Sequence, residues 1–222
     1  IVELMEEIAR DPSAFVETFN HAGFADTEEP DAQALAQLIG LLEVLAAPAC
    51  HYRLQPHEGN AGPLQADAEL AAIEVDWRVV FGAEGDPDGD AGDPWADIAW
   101  LDWLADHPLA WQSFAILEDL VMSIGEVPCD DDELGRQLDA LEAALLDRAL
   151  ALLRLNLGEN GADACKLEWG WMENRPALRL LGQRIDLAAG TAEELPLLEW
   201  LVLTLNRNDN QGLRERLVHV YA

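Results

Sequence analysis

The sequence predicts an all-α protein, an antiparallel helical bundle or array that ends in a helical hairpin. Three observations carry this. Apolar residues recur at three- and four-residue spacing in segment after segment. No strand-like alternation survives beyond a few residues. Asp, Pro and Gly punctuate the chain where helices start and stop. Half of the 222 residues are hydrophobic, enough for a sizeable core and too many for a disordered acidic chain.

The elements follow in order. Asp11 and Pro12 suit the N-cap and first position of a helix with Phe15 and Phe19 on one face. Leu35, Leu38, Leu42 and Leu45 mark a second helix, and Leu70, Ile73, Trp77 and Phe81 a third. "DPWADIAWLDWLADH" reads as a fourth. A fifth is opened by Pro108 and closed by Gly125. The longest starts in the acidic run before Leu134, where the helix dipole favours acids, and Gly158 follows its last turn. Its Leu138, Leu141, Leu145 and Leu152 should be buried along one seam. "QPHEGNAGPLQ", "GAEGDPDGDAGDP" and "GENGADACKLEWGW" read as loops. The last of these divides an acidic helical domain, 1–160, from a closing helical segment, 161–222. A single core spanning both is compatible with the same pattern.

In the closing segment Asn174 or Arg175 can cap a helix with Pro176 in its first turn. That helix runs to a turn at Gly190, and a second extends from about Thr191 to Leu205. "NRND" then turns the chain, and Asp209 can cap a third helix from Asn210. Two helices and the start of another, in roughly 34 residues, make the shape of a tetratricopeptide-type repeat. "ENRPALRLL" followed by "LNRNDNQGLRERL" resembles the C-terminal helical-repeat segment of uncharacterised bacterial proteins related to tetratricopeptide proteins. Arg207 stands where the repeat has its terminal proline, and Gln183 and Leu195 where it has small residues. The resemblance implies a non-enzymatic protein–protein interaction or adaptor role. The partner would contact the groove beside Arg175 to Leu205, with Arg175, Arg179, Arg184 and Trp200 as candidate partner-binding residues.

Charge supports a second reading. The chain carries 43 acids and 13 bases, a net charge of −30. Residues 1–135 hold 30 acids against Arg10, Arg53 and Arg78, whereas residues 136–222 hold 13 acids and 10 bases. Such a field repels nucleic acid and anionic membrane and attracts basic proteins and cations. The alternative to an adaptor is therefore an acidic module that imitates a nucleic acid and occupies a basic protein.

A third reading is calcium binding. Asp86, Asp88, Asp90 and Asp97 fall at positions 1, 3, 5 and 12 of a calcium-type loop. Ala91 replaces the turn glycine and two prolines stiffen the segment, so a solvated acidic loop is the simpler expectation. Cys50, His51, His57 and Glu58 lack a second ligand pair for zinc, and no metal or other cofactor is expected. Trp95, Trp100, Trp103 and Trp111 read as core residues rather than a ligand cage, although Asp97, Asp102 and Asp106 share their helix. The sequence carries no GxSxG, HExxH, P-loop or dinucleotide fingerprint, and no enzymatic activity is expected. Three scattered cysteines, no long apolar run and no basic leader predict a cytoplasmic protein. An opening residue other than Met, and an uncapped helical ending, suggest a piece of a longer chain.

Overall fold

In the computed structural model, which describes residues 32–55, 57, 61–81, 94–127, 129, 132–158 and 166–222, helices form where the apolar spacing is helical. The helix expected after Asp11, and the loop acids Asp86, Asp88 and Asp90, lie outside the described residues. Helix α1 (Ala32–Glu43) buries Leu35 and Leu38 and packs on α3 (Ala99–Asp106). Helix α2 (Ala68–Val80) starts at Asp67, whose carboxylate accepts the Leu70 N–H at 3.0 Å. Its stripe is as expected: Leu70 and Trp77 are buried, with Ile73 and Phe81 half-buried against the core.

The segment from Pro108 to Gly125 is two pieces, not one helix. A 3₁₀ turn (Pro108–Gln112) precedes α4 (Phe114–Gly125). Ser113 takes an extended conformation between them, and its hydroxyl accepts the Ile116 N–H at 3.2 Å. A serine inside an apolar stretch thus starts a new helix. Helix α5 (Asp132–Leu157) runs for 26 residues, and Leu138, Leu141, Leu145 and Leu152 are all buried. It packs against α4 and α6 (Arg175–Leu187), which also pack on each other. The protein is mainly helical, and its apolar core continues without a break from Ala34 to Leu217. No helix among the described residues is long and apolar enough to cross a membrane.

One expectation needs correction. The chain around "YRLQ" and "LQA" forms a small antiparallel hairpin, β1 (Tyr52–Leu54) paired with β2 (Leu64–Ala66). Three-residue strands are too short to show alternation. Distant amides hold them. Asn156 accepts the Tyr52 N–H at 2.8 Å, and Asn174 accepts the Leu64 N–H at 2.8 Å.

After α6 the chain turns at Gly190, whose φ of +73° suits glycine. Helix α7 (Glu194–Glu199) begins later than Thr191 and continues as π-helical turns over Trp200–Leu205. There the Asn206 N–H reaches back to the Leu201 carbonyl at 2.8 Å, the wider spacing of a π turn. Helix α8 (Arg214–Tyr221) begins four residues beyond Asn210. Its N-cap is Leu213, not Asp209, but the two Asp209 carboxylate oxygens accept the Leu213 and Arg214 N–H groups at 2.8 and 3.0 Å. To do so Asp209 takes a positive φ of 52°, which Asp tolerates better than most residues.

Candidate binding cleft

Five segments converge on a cleft of about 410 Å³: the hairpin, α2, the start of α4, the 3₁₀ turn Met172–Asn174 and the first turns of α6. A cavity of this size is in the range of ligand sites. Tyr52, Leu64 and Phe114 form its buried part. Glu74 and Arg78 lie one helical turn apart on α2, and Arg175 and Arg179 one turn apart on α6. Glu173 is the other charged lining residue. Three bases against two acids line the cleft, whereas the whole chain has 13 bases and 43 acids.

The polar groups are fixed by specific bonds. Tyr52 and Ser113 each donate a hydroxyl proton to the same Glu74 oxygen at 2.7 Å. The Phe114 N–H in turn donates to the Tyr52 oxygen at 3.0 Å. Burial, and then the Glu74 charge, push the Tyr52 pKa well above the usual phenol range. Both hydroxyl protons are engaged in holding the scaffold, and Tyr52 is a poor proton donor for chemistry.

Arg179 forms a two-pronged ion pair with Glu118, which holds its proton more firmly still. The pair is asymmetric, since the Glu118 side chain is 8 % exposed and that of Arg179 44 %. Next to it Asp119 accepts the Trp77 indole N–H at 2.8 Å. Burial raises the Asp119 pKa to about 6, opposed by that hydrogen bond and by the charges of Arg78 and Arg179. Both α6 arginines also lie over Trp169, their guanidinium carbons 5.4 and 5.8 Å from its ring centre. Arg175 Nε donates to the Trp169 carbonyl at 3.1 Å.

Of the four candidate partner-binding residues, Arg175 and Arg179 therefore share one site. Arg184 lies elsewhere, bonded to Asp147 and Glu193 at 2.7 Å each beside a second cavity of about 420 Å³. Trp200 lines neither cavity. It is half-buried, and its indole nitrogen has no hydrogen-bond partner among the described residues. Arg78, Glu74 and Tyr52 were not singled out from sequence. The signal available was that Arg78 is one of only three bases in the first 135 residues.

The remaining candidates have structural partners. Asp97 accepts the Ala99 N–H at 3.0 Å at the start of α3. His51 meets Asp67 at 2.9 Å, and His57 lies against Trp171, while Glu58 is outside the described residues. No group of three or more metal-binding side chains occurs among the described residues. Trp95, Trp100 and Trp111 are buried, and Trp103 stacks on His107 with ring centres 4.2 Å apart.

Fold and site together define a mainly α-helical protein with an arginine-lined cleft in an acidic chain. Comparison with known proteins adds no relative: the chain matches no family model, no curated protein and no solved structure.

Proposed function

We infer that this protein is a non-enzymatic, cytoplasmic protein-binding module whose partner docks in the cleft between α2 and α6. The observation that carries this is the meeting of Arg175 and Arg179 with Arg78 around a cavity that also has an apolar floor. Apolar surface beside a few fixed polar groups is what recognition sites commonly offer. The tetratricopeptide-like pattern of the closing segment supports the same use.

The charge asymmetry favours one second reading, an acidic module that occupies a basic protein. Capture from a lysate of the source organism separates the two, using wild type, an Arg78→Ala/Arg175→Ala variant, and a variant with Asp86, Asp88, Asp90 and Asp93 changed to Asn. The adaptor reading expects a protein that is lost only by the arginine variant and survives a moderate rise in salt. Loss only by the acid-neutralised variant, with collapse as the screening length falls from about 10 Å to about 3 Å, reverses the ranking.

A further inference from the structure

We propose that the cleft receives one carboxylate side chain, a Glu or Asp flanked by apolar residues, from an extended segment of the partner protein. This assignment rests on the cleft reading above and adds the chemistry that the partner presents.

The three guanidiniums differ in what they have left to give. Arg179 is committed to Glu118 by two hydrogen bonds. Arg175 spends only Nε, on the Trp169 carbonyl, so its two terminal amino groups remain available among the described residues. Arg78 is exposed and makes no hydrogen bond or ion pair among them, only a through-space attraction to Asp119. Two guanidinium groups, one on α2 and one on α6, thus line the same cleft. A carboxylate offers about four lone-pair positions and matches the planar fork of arginine.

The other lining groups narrow the choice. Glu74 is pinned by Tyr52 and Ser113, so its charge stays at the wall and opposes a second anion. Because Arg179 is neutralised by Glu118, and Arg78 and Arg175 are balanced by Glu74 and Glu173, a carboxylate is selected by the unused guanidinium N–H donors and not by excess charge. A polyanion would bring its further charges into the field of a −30 chain. Phe114 and Pro176 supply apolar contact beside the charges. Met172, 64 % exposed at the rim, adds a flexible apolar side chain that adapts to its neighbour. The second cavity offers a single guanidinium uncommitted among the described residues, that of Arg154, because Arg184 there is already held by two carboxylates.

The test uses two blocked tripeptides that differ in charge alone, acetyl-Leu-Glu-Leu-amide and acetyl-Leu-Gln-Leu-amide, titrated against the full chain by NMR. The Glu peptide should move the Trp169 indole and Leu64 amide signals saturably, with the Gln peptide about tenfold weaker or more. Arg78→Ala and Arg175→Ala should each weaken the Glu peptide about tenfold, and Arg175→Lys should restore only part of the loss. Equal binding of the two peptides, or binding unchanged in both arginine variants, overturns the proposal. If neither peptide binds but the arginine double variant still loses its captured protein, the carboxylate assignment falls and the cleft reading stands. If that protein is retained as well, both fall.

Discussion

Around α2 and α3, the carboxylates of Asp76 and Asp106 are exposed while Trp77 and Trp100 meet edge to face in the interior, 6.3 Å between ring centres. Around α6 to α8, the arginines turn inward to acids: Arg184 to Asp147 and Glu193, and Arg216 to Asp186 and Glu194. The first region is cohesive because large aromatics fill it, and its exposed acids, Asp76 and Asp106 among them, set the surface field. The second spends its charge on placing helices against one another. Pairs whose carboxylate is exposed, as at Asp147, Glu193 and Asp186, are individually weak, so they orient more than they stabilise. The cleft lies where the two regimes meet, with Arg78 from the first and Arg175 from the second.

The largest expected effect tests the aromatic region. Trp100→Ala should cost about 3–5 kcal/mol in urea unfolding, the usual cost of emptying a buried tryptophan site. A cost below about 1 kcal/mol would mean that the aromatics do not carry that region.

Next comes the border, through Asp119. Its folded pKa of about 6 lies above the ordinary 3.8, so the folded chain binds this proton more tightly than the unfolded one. The sign follows: the fold bears a cost above pH 6 that is relieved as pH falls from about 6 toward 4. Full relief is about 2–3 kcal/mol. Asp119→Asn can still accept the Trp77 indole proton and should remove this dependence. The difference in stability between wild type and variant, measured from pH 8 to pH 4, isolates it from the other acids. A difference that does not vary with pH would show that the Trp77 hydrogen bond, Arg78 and Arg179 balance the burial of Asp119 and the neighbouring Glu118 charge.

The smallest effect concerns the closing region. Asp209→Ala removes the carboxylate that accepts the Leu213 and Arg214 N–H groups before α8 and should cost about 1 kcal/mol, read as a lower melting temperature. An unchanged melting temperature would show that α8 is placed by Leu217 packing and the Arg216 ion pairs without help from Asp209.

What could be read in the sequence was local. The leucine seam of α5 is legible because the pattern repeats over many turns of one helix. The turn at Gly190 is legible because one residue's chemistry decides it, whereas the cap at Asp67 was not singled out. The hairpin was not, because its strands are defined by Asn156 and Asn174, roughly a hundred residues away in sequence. The break at Ser113 was hidden by apolar residues that continue a helical pattern across it. Of the cleft, Arg175 and Arg179 were visible as neighbours on one helix. Their approach to Arg78 and Glu74 depends on how α2 and α6 pack around the hairpin, which no spacing encodes.

Asn174 was expected only as a helix cap, and its side chain makes no cap bond. Instead it accepts the Leu64 N–H and donates to the Gly62 and Glu168 carbonyls. The exchange of one hairpin amide with solvent is thereby tied to the integrity of a helix start 110 residues further along the chain. Deuterium uptake at Leu64 therefore reports opening of the α6 start as well as fraying of the hairpin itself. The two should open as a single cooperative unit, and a ligand that steadies Arg175 should slow exchange at Leu64.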